Sequence, residues 1–443
     1  MPYNLTQGSI FRNIAFFSVP FFISYFLQTL YGIADLFIVG QFEGAASITA
    51  VAVGSQVMHF LTVIIVGLAM GATVLIGRAV GGKNMRSVSR IVGNTIVLFG
   101  IVAALLTGVL LFLCRDIVEL LRTPDEAVFE TVRYLLVCFA GIPFIIAYNV
   151  IASVFRGMGD SRHPMYFIAV ACGLNIALDF LFIGGLRLGA FGAALATVIA
   201  QTLSVVVSCF AMKKLHIGVS LSLRDLRPNR TLFRGILGIG LPIAVQDGFI
   251  QVSFLFITII ANSRGLEIAA AVGIVEKIIG FLFLVPSSML STVSAIAAQN
   301  VGAGEHLRAR QTLWAGIGIA AGIGAVFSFG FQFLSEPVLG LFTGDAAVVL
   351  YGAEYLRAYV FDCLVAAVHF CFSGFFCAYG LSVISFAHNA LSIILFRIPG
   401  AYLATKYFPD TLFPMGLAAP AGSLFSAVVC VAVYLWMKRR RKF

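Results

Sequence analysis

Two carboxylates stand where apolar surroundings make them costly. Asp35 lies within Tyr31-Gly-Ile-Ala-Asp-Leu-Phe-Ile-Val-Gly40, with no basic residue near it in sequence. Asp179 follows Asn175 by four positions, so on a helix both project from one face. An acid near the centre of a bilayer costs roughly 2.5 to 3.5 kcal/mol on insertion scales. A face of carboxylate and amide oxygens suits a proton held on a desolvated carboxylate, or a small hard cation such as sodium. The competing use of the same groups is to hydrogen-bond helices to one another. Pro20 precedes Asp35 by fifteen residues; inside a helix it removes an amide donor and bends the chain. A bend tied to neutralisation of the acid would be a gate, and a static kink is the other reading.

The second half of the chain carries further costly groups: Asp247, Gln251, Glu276 beside Lys277, Asp362, His369, His388 and Arg397. Adjacent residues on a helix point in different directions, so Glu276 and Lys277 need partners elsewhere. His369 reads as a packing residue, and Arg397, just before Pro399, as an anchor at a helix end. The stretch Gly77-Arg-Ala-Val-Gly-Gly-Lys-Asn84 imitates a phosphate-binding loop. It has Asn84 where a magnesium-binding hydroxyl is required, and it follows an apolar helix instead of a strand. Neither HExxH nor GxSxG occurs, so no enzyme is expected. Without a nucleotide motif, any transport must draw on an ion gradient.

These residues need elements to hold them, and the composition says which. Of 443 residues, 60% are apolar and 11% charged, against roughly 25% charged in an ordinary soluble domain. Apolar blocks near 14–40, 47–77, 93–113, 129–155, 165–184, 190–212, 235–261, 266–297, 312–334, 350–379, 383–404 and 415–437 are long enough to cross a bilayer as helices. Met1 to Ile10 lacks the basic start and cleavage site of a signal peptide, so the first block is expected to be a retained helix. Eight cysteines fall in or beside apolar stretches without a CxxC pair, which suits plain packing. With the amino terminus inside, twenty basic residues face the cytoplasm, including Arg78, Arg86, Lys213 and the tail Lys438 to Lys442, and five face outside. That bias sets the orientation, with both termini cytoplasmic, and accounts for the net charge of +10 without nucleic acid.

The chain also repeats itself. At a shift of 220 to 222 positions, Phe11-Arg12 meets Phe233-Arg234, Pro20 meets Pro242, and Val80-Gly81 meets Val301-Gly302. Thr123 and Asp125 likewise meet Thr343 and Asp345, and Tyr134-Leu135 meets Tyr355-Leu356. Six helices per half is an even number, so the halves enter the membrane from the same side as a parallel repeat. The expected organisation is 1–212 as an N-lobe, 213–232 as a cytoplasmic linker and 233–443 as a C-lobe.

With Ile33-Ala-Asp35-Leu-Phe-Ile-Val-Gly40, the two Val-Gly loops and Arg156-Gly-Met-Gly-Asp160 added to this duplication, the whole chain resembles the multidrug and toxic compound extrusion (MATE) family. The resemblance implies an all-α integral membrane protein, with twelve transmembrane helices in two parallel six-helix repeats forming a V-shaped pair of lobes. It also implies exchange of external protons or sodium for cytoplasmic organic cations. One branch of that family keeps its cation site in the N-lobe, and its pattern matches Asp35, Tyr134, Asn175, Asp179 and Thr197, with Pro20 as the kinking proline. Asp35 and Asp179 would be the metal ligands if the ion is sodium. Another branch uses acids in the C-lobe, for which Asp247, Gln251, Glu276 and Asp362 are the candidates, or else they line the substrate site.

Amphipathic organic cations are the expected substrates, since 42 phenylalanines and a few acids suit them. No cofactor beyond the coupling ion, a location in the cell (inner) membrane among lipid, and a monomer are expected. The alternative is a flippase for lipid-linked head groups. It calls for a basic cavity, whereas only Arg133, Lys277, Arg357 and Arg397 lie within helices.

Overall fold

The computed structural model describes residues 4–215, 219 and 221–439. The parts of the expected linker at 216–218 and 220, and Arg440 to Lys442 of the basic tail, lie outside the described residues. Twelve helices are long and apolar enough to cross a membrane. In chain order they are α1 (Ile10–Phe42), α2 (Ala45–Gly81), α3 (Met85–Phe112), α4 (Asp125–Gly157), α5 (Arg162–Gly185) and α6 (Gly189–Lys214). The second set is α7 (Arg230–Asn262), α8 (Leu266–Gly302), α9 (His306–Gly340), α10 (Ala346–Ala378), α11 (Ser382–Tyr407) and α12 (Phe413–Arg439). Among the described residues there is no strand.

Helices begin earlier than hydropathy alone suggests, because polar caps extend them beyond the apolar block. At α3 the Asn84 side chain accepts the Ser87 amide at 3.0 Å, which brings the basic turn Arg86 to Arg90 into the helix. At α10 the Asp345 carboxylate accepts the amides of Ala347 and Val348 at 2.9 and 3.4 Å, answering donors that have no intrahelical partner. Large apolar side chains such as Phe112, Phe129, Phe329 and Phe333 are exposed, as a lipid-facing surface requires. Several hydroxyls inside the spans are satisfied within their own helix: Thr62, Thr95 and Thr202 each donate at 2.8 Å to the carbonyl four residues back.

Five of the long helices are not uniform, among them α12, which is interrupted at Leu417. The last turns of α5 (Phe180–Gly185) and a stretch of α11 (Ile393–Arg397) are wound as π-helix, a wider turn that occurs often at functional sites. Regular winding is also interrupted at Phe283 in α8 and at Val360 in α10. The turns after α4 and α10 share one conformation, with Gly159 at φ 90° and Gly380 at φ 74°. Those are left-handed values that glycine alone adopts at no steric cost.

The chain packs as two units, one Val19–Gly240 and the other Leu241–Phe443 together with Leu5–Ser18. α1 therefore starts in the second unit and passes to the first just ahead of Pro20, and α7 changes unit just ahead of Pro242. In the second unit the N-terminal arm is held by hydrogen bonds. The Leu5 amide donates to Gln299 Oε1 at 3.2 Å, and Arg308 donates to the carbonyls of Gln7 and Gly8 at 2.9 and 2.7 Å. In the first unit, buried Asn94 on α3 donates to the Asp225 carbonyl at 3.2 Å and accepts the Asn229 amide at 2.7 Å, clamping the described part of the linker. The amide and hydroxyl of Ser222 hydrogen-bond the Asp225 carboxylate at 2.9 and 2.8 Å and hold it below the usual aspartate range, with Arg90 and Arg86 adding to the effect.

Candidate functional site

In the first unit, α1, α5 and α6 bring four of the expected residues together. Asp35, Asn175 and Asp179 are all at most 2% exposed, too dry for solvent to compensate a charge. The Thr197 hydroxyl donates to Asp35 Oδ2 at 3.3 Å, and Asn175 Nδ2 donates to Thr197 Oγ1 at 3.4 Å, so α1, α5 and α6 meet in one chain of hydrogen bonds. Four buried oxygens of this cluster have no hydrogen-bond partner: Asp35 Oδ1, Asn175 Oδ1 and both carboxylate oxygens of Asp179. Among the described residues, no ion pair reaches either acid, although the two carboxyls lie within electrostatic reach of each other.

Orphaned buried oxygens are expensive, and two adjacent carboxylates repel. Both costs are removed by a bound proton or by a hard cation, for which oxygens are the fitting ligands. The π-helical segment begins one residue after Asp179, so the carboxylate stands where the winding of α5 changes.

Tyr134 is placed differently. Its ring is buried against Gly54, where a Cβ would collide with it, and its hydroxyl pairs with Ser55 Oγ at 3.3 Å. It remains within electrostatic reach of Asp35 without a hydrogen bond to it. Pro20 lies inside α1 four turns from the acid. Two further side chains belong to the neighbourhood: Tyr31, one turn before Asp35, and Gln201, one turn after Thr197 with a buried unpartnered Oε1. The same four-residue spacing that links Asn175 to Asp179 identifies both.

The second unit holds a separate polar network. Glu276 on α8 finds its partner within that unit, the Thr258 hydroxyl of α7 at 3.3 Å. The Arg397 guanidinium hydrogen-bonds the Tyr359 hydroxyl and lies over the rings of Phe254 and Tyr359, at 4.6 and 5.7 Å from their centres. It is thus engaged inside the unit, where sequence suggested a helix-end anchor. Asp362, 1% exposed, follows Tyr359 by three residues and has an unpartnered Oδ1. His369 pairs with Ser423 at 3.3 Å and His388 with Ser373 at 3.1 Å, with the two imidazoles 5.7 Å apart. Asp247 and Gln251 are half-buried on α7.

The MatE family model matches residues 20–181 and 242–403, two stretches separated by the same 222 positions as Pro20 and Pro242. "Probable multidrug resistance protein YpnP" of Bacillus subtilis (strain 168) is 26% identical over 440 residues, covering 99% of this chain and 98% of that protein. "Multidrug export protein MepA" of Staphylococcus aureus (strain NCTC 8325 / PS 47) is 25% identical, covering 95% and 94%. Relatives named for drug resistance and export do not favour the lipid-linked head-group flippase. In fold, the chain matches a solved outward-facing structure of a multidrug resistance MATE family transporter of the MOP superfamily, with a TM-score of 0.92, 23% identity and coverage of 99% and 97%. A duplicated twelve-helix chain matched by the family model in both halves belongs to the MATE family of multidrug efflux transporters.

Proposed function

We propose that this chain exports amphipathic organic cations from the cytoplasm in exchange for external protons or sodium, with Asp35 and Asp179 as the coupling carboxylates. The observation that carries the reading is the set of four dry, unpartnered oxygens on Asp35, Asn175 and Asp179, with no ion pair to either acid among the described residues. An ion arriving from outside supplies the missing positive charge. A proton binds a carboxylate oxygen; sodium gathers the carboxylate and Asn175 oxygens around itself. Thr197 orients Asp35 in either case, and Asn175 in turn orients Thr197.

Once neutralised, Asp35 no longer pays for its burial, and α1 is free to take a new position about Pro20, which commits the protein to substrate release. Asp247 and Gln251, half-buried on α7, are the residues we assign to substrate contact. Transport then proceeds by alternating access in the cell (inner) membrane, with both termini cytoplasmic and a monomer as the working unit.

The test is uptake of a fluorescent organic cation into, or its efflux from, proteoliposomes under an imposed proton or sodium gradient. A one-for-one exchange of a proton or sodium for a monovalent organic cation moves no net charge, so the ion's concentration gradient alone drives it; a tenfold ion gradient, worth about 1.4 kcal/mol, sustains a roughly tenfold substrate gradient. Asp35→Asn and Asp179→Asn are expected to collapse that gradient to equilibration, and the driving gradient that works in the wild type names the ion. Pumping by both variants at the wild-type level would remove the carboxylates from the mechanism.

A further inference from the structure

The two units answer the same electrostatic problem in different ways. Each places two acids on separate helices: buried Asp35 and Asp179 in the first, half-buried Glu276 and buried Asp362 in the second, where Glu276 Oε1 and Asp362 Oδ1 are also unpartnered. No arginine or lysine acts on the first pair. The second pair has Arg397, and two helices fix it in place. On α7, Phe254 and Thr258 are one turn apart; Phe254 lies under the guanidinium and Thr258 binds Glu276. On α10, Tyr359 and Asp362 are three residues apart, and Tyr359 hydrogen-bonds Arg397. The guanidinium thus stands near both carboxylates and acts on each, with no ion pair to either among the described residues. The other titratable groups that reach this cluster are Tyr355, His369 and, toward Glu276, the Lys277 ammonium. Arg397 acts on both acids, whereas the exposed Lys277 reaches only Glu276.

We propose that Arg397 is a tethered counter-cation for Glu276 and Asp362, filling in the second unit the place an exchangeable ion fills beside Asp35 and Asp179. Ion exchange is then confined to the first unit, an inference that rests on Asp35 and Asp179 being the coupling site. Arg397 acts through the carboxylates as a positioning residue, and its removal opens a second ion site instead of simply weakening transport.

The experiment counts ions on purified full-length protein at neutral pH, by bound radiolabelled sodium and by the infrared band of protonated carboxyls. Arg397→Gln should carry one more sodium or proton than wild type. That gain should vanish when Glu276→Gln or Asp362→Asn is added, and Arg397→Lys should show no gain. In Asp35→Asn/Asp179→Asn with Arg397 intact, no ion should remain that Glu276→Gln removes. A folded Arg397→Gln without the gain, a gain shared by Arg397→Lys, or a residual ion lost on Glu276→Gln would each overturn the proposal. The last measurement decides even if Arg397→Gln does not fold. A different failure is an ion count unchanged by Asp35→Asn/Asp179→Asn. It sinks the first-unit coupling site, while Arg397 is still judged by its own gain.

Discussion

Asn175 and Asp179 were legible as a pair because a four-residue spacing on a helix leaves no other arrangement, and Thr197 and Asp35 join them across 162 residues of chain. Tyr134 shows what spacing does not reveal. Its hydroxyl answers Ser55, 79 positions away on α2, and the ring fits only because Gly54 next to that serine has no side chain. Gly54→Ala should therefore destabilise the protein by about 1–3 kcal/mol through overpacking, lowering its thermal midpoint in detergent. Adding Tyr134→Leu should recover part of the loss. Equal midpoints for wild type and Gly54→Ala would show that the ring has room to move. Arg397 was read as an anchor at a helix end, but its partners Phe254 and Tyr359 come from other helices, and a proline two residues on says nothing about them.

Apolar blocks made all twelve spans readable, while the winding within them was not. A π-turn needs the same residue types as an α-turn, so Phe180–Gly185 and Ile393–Arg397 leave no compositional mark. Polar connections were equally opaque. The linker reads as a loose basic stretch, yet its described part is tied to α3 through Asn94, which is 2% exposed and lies 131 residues from its partner Asp225. Truncating that side chain removes its hydrogen bonds to the Asn229 amide and the Asp225 carbonyl, at a net cost of about 0.5–1.5 kcal/mol each. Asn94→Ala is expected to speed tryptic cleavage at Arg224 several-fold, as followed by gel, without altering the helical circular dichroism. Unchanged cleavage would mean that the linker is held by other contacts.

For the whole molecule, duplication explains why hydropathy, landmark residues and the family match all fall into two sets. The same shift relates the places where the packing units divide, since the crossings at Ser18–Val19 and Gly240–Leu241 are 222 positions apart. Leu5–Ser18 precedes the first unit in sequence and packs in the second, a placement set by polar groups on α8 and α9 that periodicity cannot connect to the amino terminus. Arg308→Ala together with Gln299→Ala should expose the arm, raising hydrogen exchange at Leu5 to Gly8 and in the early turns of α1 while leaving α2 to α6 unaffected. A rise of equal size throughout the first unit would show that the arm supports both. The same contacts bear on how the chain is made. Leu5 and its partner Gln299 are 294 residues apart, which at about 5–20 residues per second is roughly 15 to 60 s of synthesis. Throughout that interval the start of the nascent chain has no final resting place, so docking of its first residues on α8 and α9 is among the late events of assembly and marks the arrival of the second unit.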